Sequence, residues 1–101
     1  MASPLEPEVL DLEAIEDELA RLDGWEFDGM AIRKTFVMGS FQQSIDWVNR
    51  VAEVAERLSH HPDIIINFKK VTLRCWTHKN NSVSKADIQL AEEIEKAMYE
   101  A

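Results

Sequence analysis

Several residue types are scarce in this chain of 101 residues, and each shortage argues against a class of protein. There are one cysteine, three glycines and three prolines. The lone Cys75 cannot form an intrachain disulfide, which indicates a reducing compartment, and we predict the cytoplasm. The few glycines and prolines leave little room for a low-complexity linker, and no glycine-rich phosphate loop is present. These shortages favour one compact domain.

Basic residues are also in short supply. Lys and Arg number 11 against 19 Asp and Glu, which gives a formal net charge of −8. Contacts with nucleic-acid phosphates or with anionic lipid need clustered basic side chains, so we predict neither direct nucleic-acid binding nor membrane binding. No stretch approaches the roughly 20 apolar residues of a membrane span, and the first residues do not show a secretory signal pattern. The acidic charge is best explained as a solubility feature.

The hydrophobic pattern predicts three helices and two β-hairpins. Residues 1–9, with Pro4 and Pro7, form a flexible N-terminal arm in this interpretation, and residues 10–101 form a single domain. The helices begin after the capping residues Asp11, Ser40 and Ser84. One hairpin turns at Asp28-Gly29, and the other runs from Ile64 to Trp76 with Lys69-Lys70 at or beside its turn. Short hairpins imply antiparallel pairing. We therefore predict an α+β fold, α-β-β-α-β-β-α, in which helices cover one face of a four-stranded antiparallel sheet.

The second helix, predicted from Phe41 to about Leu58, carries two apolar stripes side by side. One stripe passes through Ile45 and Val48, and the other comprises Trp47, Val51, Val54 and Leu58. The combined arc is wider than one sheet face requires. It indicates either a well-covered central helix or a contact between subunits, and the pattern alone leaves both open.

All three histidines fall in one stretch, at positions 60, 61 and 78. Imidazole has the unperturbed pKa nearest to neutrality, so this stretch is where acid–base chemistry is expected. Glu56 precedes His60 by four residues. If the helix extends that far, its carboxylate lies on the same face and orients His60. A metal site is the alternative for this residue set, but neighbouring histidines rarely bind one ion together, so we predict no metal.

Two other reactive residue types have structural explanations. Cys75 alternates with Val71 and Leu73 in the inward register of a strand, which favours a small core residue over a nucleophile. Asp87 follows Ser84 by three residues, and this Ser-x-x-Asp spacing predicts a helix cap without a catalytic role.

The spacing of these residues resembles the signature of the pterin-4a-carbinolamine dehydratases. The pattern is Glu-x3-His-His-Pro, an aromatic after five residues, His after nine more and Asp after eight more. In this chain it is carried by Glu56, His60, His61, Pro62, Phe68, His78 and Asp87. Gly24-Trp25, Thr77-His78, Ser84 to Asp87 and Ile88-x-Leu90-Ala91 are also similar, and the likeness runs from about Asp11 to Ile94.

The resemblance implies a reaction and a set of roles. Family members remove water from a 4a-hydroxytetrahydropterin to give the quinonoid dihydropterin, which recycles the cofactor of aromatic amino-acid hydroxylases and needs no metal or organic cofactor. It implies His60 and His78 as the acid–base pair, His61 as a holder of the pterin and Glu56 as the residue that orients His60. It also implies substrate contacts from further residues: Ser59, Pro62, Trp76, Thr77 and Trp25.

The family also forms homodimers and homotetramers, and its animal members bind a transcription factor and stabilise its dimer. A pterin- or protein-binding module with little catalysis is therefore the alternative function. The chain departs from the family at four positions. Ser59 stands where an aspartate is frequent, Ile64 replaces an aromatic, Ile66 replaces an asparagine, and Trp76 stands where small polar residues are usual. These departures concern substrate preference and rate more than the class of reaction.

Overall fold

A computed structural model describes residues 8–100 of the chain. Its elements follow one another in the predicted order and confirm the α+β fold. They are α1 (Leu12–Leu19), β1 (Glu26–Phe27), β2 (Ile32–Val37), α2 (Phe41–Leu58), β3 (Asp63–Asn67), β4 (Lys70–Cys75) and α3 (Lys85–Tyr99). No helix within residues 8–100 is both long enough and apolar enough to cross a bilayer.

The four strands form one antiparallel sheet in the order β1-β2-β4-β3. Successive side chains of a strand point to opposite faces, and burial follows that alternation. Val71, Leu73 and Cys75 of β4 are fully buried, whereas Thr72 and Arg74 between them are only partly covered. The buried side chains pack against residues of α2 and α3, so the helices cover one face of the sheet, as predicted.

The expected capping residues begin all three helices. The Asp11 carboxylate accepts a hydrogen bond from Ala14 N, and the Ser40 hydroxyl accepts one from Gln43 N. Ser84 and Asp87 form a reciprocal capping box at the start of α3. The apolar spacing of α1 continues to Leu22 and Asp23-Gly24 follows it, which predicts a helix as far as Leu22. The structure differs. The regular turns of α1 stop at Leu19, and tighter turns lead to Gly24, whose positive φ of 82° suits glycine.

The two stripes of the wide apolar arc on α2 differ in burial. Trp47, Val51 and Val54 are 2%, 0% and 7% exposed, so these residues belong to the core of the chain. They are therefore not available as the subunit contact. On the other stripe, Ile45 and Val48 are half-buried and Phe41 is 52% exposed, so this part of the arc remains open to a subunit contact. Exposed apolar side chains also lie on the edge strand β3, where Ile65 is 51% exposed.

The second hairpin turns at Phe68-Lys69, so Lys69-Lys70 lies at and beside the turn as predicted, and Phe68 has a left-handed φ of 55°. The Ser44 hydroxyl donates to the Phe68 carbonyl and ties this turn to α2. Within the predicted arm, residues 1–7 lie outside the described part of the chain. Glu8 and Val9 pair with the start of α3, through Lys85 N to the Glu8 carbonyl and a bridge from Val9 to Ser84.

Candidate active site

The two histidine-containing segments meet at one end of the sheet. His60 and His61 lead into β3, and His78 follows β4. These strands are antiparallel neighbours, and Asp63 at the start of β3 lies opposite Arg74 near the end of β4. The chain entering β3 and the chain leaving β4 are therefore adjacent, and the sheet topology brings together segments that are 17 residues apart in the sequence.

The end of α2 determines where the first two histidines point. Ser59 adopts the left-handed conformation with φ 51° and ψ 39°, and His60 N donates to the Ala55 carbonyl. The helix stops at Leu58, so Glu56 and His60 do not share a helical face. The expected contact between them is not formed. Glu56 Oε2 lies 2.7 Å from His61 Nε2 instead.

His60 is bound to a carboxylate that the sequence did not assign to it. Its Nε2 lies 2.6 Å from Oδ1 of Asp87, and the Asp87 side chain is completely buried. The other oxygen, Oδ2, accepts from Ser84 N at 2.8 Å and from the Thr77 hydroxyl at 2.8 Å. Asp87 is thus the predicted helix cap and, in addition, the partner of His60. The prediction that capping alone explains Asp87 is incomplete.

This network fixes the tautomer of His60. A carboxylate oxygen only accepts, so the neutral His60 ring places its proton on Nε2 and donates it to Asp87. Nδ1 then carries the lone pair and is the atom left to exchange a proton with a bound molecule. Since the side chain is 19% exposed and its partner is buried, the ring is held in one orientation.

His61 stands in a different environment. Its side chain is 62% exposed and that of Glu56 is 77% exposed, so water surrounds this pair on most sides. Exposed ion pairs contribute about 0–1 kcal/mol to stability. His61 is therefore accessible but loosely held, which is suited to contacting a ligand rather than to fixing a reaction geometry.

His78 lies against Trp76 and near a second carboxylate. The centroids of the two rings are 3.9 Å apart with their planes at 48°. His78 Nε2 is 3.8 Å from Oδ1 of Asp63, whose Oδ2 accepts from Trp76 Nε1 at 2.8 Å. The half-buried Trp76 thus contacts His78 directly. Pro62, also half-buried, connects His60-His61 to Asp63 in the chain.

Three residues with predicted substrate contacts have structural roles, and two of them are buried. Trp25 is 4% exposed, donates from Nε1 to Glu95 and packs edge-on to Phe36 in the core, so it does not wall a pocket beside the histidines. Thr77 is buried, and its hydroxyl is bound to Ser84 and Asp87. Ser59 is the left-handed residue that ends α2 and is exposed, so its substrate contact stays a prediction.

Asp63 is a candidate site residue that the sequence did not indicate. Its proximity to His78 depends on the strand register, which pairs Asp63 with Arg74 and so places it next to the residues that follow β4. The only available signal was its position directly after the His-His-Pro run. Cys75 is fully buried as predicted, and burial raises the pKa of its thiol well above 9, which keeps it from acting as a nucleophile.

Each histidine faces its own carboxylate rather than a shared centre. Within residues 8–100, no three His, Cys, Asp or Glu side chains converge in a way that could hold a metal ion. Two grooves of about 300 and 500 Å³ lie beside α2 and share Arg50 and Glu53 in their walls. Neither groove is lined by a histidine, so the three histidines occupy a separate part of the surface.

Comparisons with known proteins show which family the chain is similar to. Residues 8–97 match the family model described as pterin 4 alpha carbinolamine dehydratase. A relative from Roseiflexus sp. (strain RS-1), provisionally named as such a dehydratase, is 44% identical over 83% of this chain and 90% of its own length. One from Mycolicibacterium smegmatis, with the same provisional name, is 39% identical over 89% of this chain and 96% of its own.

A solved structure gives the same result for the fold. The transcriptional coactivator/pterin dehydratase from Brucella melitensis superposes with a TM-score of 0.82 at 29% identity. The superposition covers 89% of this chain and 98% of that protein. The family model spans nearly all of the described residues, and the relatives are matched over most of their length. The chain therefore belongs to the pterin-4a-carbinolamine dehydratase family.

Proposed function

We propose that this protein removes water from a 4a-hydroxytetrahydropterin by histidine acid–base catalysis and uses no metal or organic cofactor. The quinonoid dihydropterin formed is the compound from which the cofactor of aromatic amino-acid hydroxylases is regenerated. One observation carries the proposal: His60 is held by the buried Asp87 at the same end of the sheet as the exposed His78.

The reaction needs two proton transfers. The N5–H bond of the pterin breaks, the C4a–O bond breaks, and a double bond forms between N5 and C4a. The departing hydroxyl takes up a proton and leaves as water, so one proton is removed at N5 and one is delivered at oxygen. His60, through Nδ1, and His78 are the residues we assign to these two transfers. General acid–base catalysis by a positioned side chain typically contributes about 10²–10⁴-fold to the rate.

His61 has the role of holding the pterin in this proposal. Its side chain is 62% exposed, and its one carboxylate partner, Glu56, orients it without burying it. An accessible imidazole can donate to or accept from the polar edge of a pterin ring. A residue that binds the ground state and the transition state equally changes KM more than kcat.

The test is the rate of water loss from a 4a-carbinolamine formed in place by a hydroxylase, followed by absorbance. We expect the wild-type protein to accelerate it, and His60→Ala and His78→Ala to lower kcat by about 10²–10⁴-fold. His61→Ala should raise KM with a smaller effect on kcat. Asp46→Asn on the exposed side of α2 is the control, and circular dichroism checks folding. Folded wild-type protein without activity, together with a stoichiometric protein partner, would favour the binding-module function instead.

We also propose that the protein acts in the cytoplasm as a homodimer or homotetramer of single-domain subunits. The edge strand β3 supports association, because Ile65 and Ile66 are 51% and 38% exposed beside backbone groups of an edge strand. Asp63 lies at one end of this strand and Lys69 just beyond the other, so antiparallel pairing of two copies brings unlike charges together. Light scattering should give a multiple of 11.6 kDa, and Ile65→Lys should reduce it. A wild-type mass of 11.6 kDa would exclude association.

A further inference from the structure

His78 is fixed more firmly than its exposure implies. Its side chain is 59% exposed, and an imidazole with that much freedom ordinarily samples several rotamers. Here one side of the ring rests on the indole of Trp76 at a centroid distance of 3.9 Å. This tilted ring contact alone leaves the imidazole free to turn over, so a second contact is needed to determine which nitrogen points inward.

Asp63 supplies that second contact. Its Oδ1 faces His78 Nε2 at 3.8 Å, and its Oδ2 accepts from Trp76 Nε1 at 2.8 Å. One carboxylate is therefore hydrogen-bonded to Trp76 and lies within ion-pairing distance of His78. The contact follows from the sheet, since Asp63 is opposite Arg74 and Trp76 follows Arg74 by two residues, which places all three on the face away from the helices.

Arg74 also binds the Asp63 carboxylate. Its Nη1 donates to Asp63 Oδ2 at 3.3 Å, and its Nε donates to Asp28 Oδ2 at 2.9 Å. Asp28 is itself fixed, because its Oδ1 accepts from the backbone of the β1–β2 turn at Met30 and Ala31. The hydrogen bond from Arg74 lowers the pKa of Asp28 to about 2, so this end of the chain of contacts stays ionised at neutral pH.

We propose that Asp63 is a positioning residue for His78, and that it acts directly on the imidazole and through Trp76. Its carboxylate attracts the Nε2–H tautomer of His78 and leaves Nδ1 to face the substrate. The two histidines then each have a carboxylate near Nε2. His60 is hydrogen-bonded to a buried carboxylate at 2.6 Å, whereas His78 lies 3.8 Å from an accessible one. This inference rests on the proposed dehydratase function for its effect on rate.

The experiment compares Asp63→Ala and Asp63→Asn with Asp46→Asn as the matched surface control. The side-chain ¹⁵N shifts of the three histidines are measured in each labelled protein, and His78→Ala assigns the signal of His78. We expect the wild-type signal to be that of the Nε2–H tautomer and to move toward a mixture in both Asp63 variants. We expect kcat to fall about tenfold to a hundredfold in Asp63→Ala with KM within twofold, because a misplaced catalytic group costs on this order.

Trp76→Phe separates the two routes of action. It keeps a ring beneath His78 but removes the indole N–H that binds Asp63, so a smaller change in the same direction is expected. Unchanged His78 shifts in Asp63→Ala would overturn the inference, and so would a loss of kcat no larger than in Asp46→Asn. If the wild-type protein does not dehydrate the carbinolamine, the proposed function fails while the ¹⁵N shifts still decide whether Asp63 positions His78.

Discussion

Replacing Asp87 by asparagine is the most informative single change in this molecule, because the Asp87 side chain both caps α3 and binds His60. Its side chain is fully buried, and each of its oxygens is bound: Oδ1 by His60 Nε2 at 2.6 Å, and Oδ2 by Ser84 N and the Thr77 hydroxyl at 2.8 Å. Asparagine has nearly the same shape but only one acceptor oxygen. The two ends of the side chain can no longer both accept.

The cap determines how the amide is oriented. The asparagine oxygen keeps the bonds from Ser84 N and Thr77, and its NH₂ group then faces His60. His60 Nε2 must lose its proton to accept from that group, so the neutral ring becomes the Nδ1–H tautomer. A buried hydrogen bond involving an ion is replaced by a neutral one, which costs about 1–3 kcal/mol of the free energy of unfolding. The lone pair that we assign to proton transfer is no longer at Nδ1.

Two measurements follow from this reasoning. Urea unfolding should show that Asp87→Asn is folded and less stable by about 1–3 kcal/mol, whereas Asp87→Ala, which leaves several buried donors without acceptors, should lose about 3–5 kcal/mol. The dehydration rate of Asp87→Asn should fall about 10²–10⁴-fold, the range of one acid–base contribution. If the folded Asp87→Asn keeps its rate within tenfold of wild type, Asp87 is a cap only and the tautomer argument is wrong.

Three further predictions concern single residues away from that network. Cys75 should not react with a thiol reagent at pH 8 in the native protein and should react in urea, since burial raises the pKa of its thiol; rapid native labelling would contradict this. Ser59→Gly should raise the free energy of unfolding by about 0.5–1 kcal/mol, because φ at this position is 51°, and a lower urea midpoint would count against it. Asp28 has a folded-state pKa of about 2 against 3.8 in the unfolded chain, so the unfolded state binds the proton first and stability declines as pH falls through that range. Between pH 4 and pH 2, the free energy of unfolding of Asp28→Asn should fall less than that of wild type, and the difference is at most about 1 kcal/mol for a pair near the surface. Equal losses would show that the pKa of Asp28 is not lowered by Arg74.

Local signals were sufficient to predict most of the fold. Asp11, Ser40 and Ser84 begin helices because their side-chain oxygens bind free backbone N–H groups, and that chemistry depends on a few neighbouring residues. The alternation of Val71, Leu73 and Cys75 similarly predicted which face of β4 is buried. The α1 end was harder to predict, since its apolar spacing continues to Leu22 although the regular turns stop at Leu19.

The carboxylate partners of the histidines could not be predicted from local sequence. Whether Glu56 contacts His60 or His61 depends on the left-handed turn at Ser59. Serine rarely adopts this conformation, so the residue type does not predict it. The pairing of His60 with Asp87 joins residues 27 apart through the packing of α3 on the sheet. The contact of Asp63 with His78 depends on strand register. Sequence spacing indicated the candidate site residues, and tertiary packing determines which carboxylate lies beside which imidazole.

The central claim is that His60 and His78 act together on one pterin, and a double-variant comparison tests it most directly. The rate of 4a-carbinolamine dehydration is measured for wild type, His60→Ala, His78→Ala and the double variant under identical conditions. If the two imidazoles serve the same reaction, wild type exceeds the uncatalysed rate, each single variant loses about 10²–10⁴-fold, and the double variant loses much less than the product of the two losses. A wild-type rate equal to that in buffer, or single variants that match wild type while remaining folded, would contradict the account.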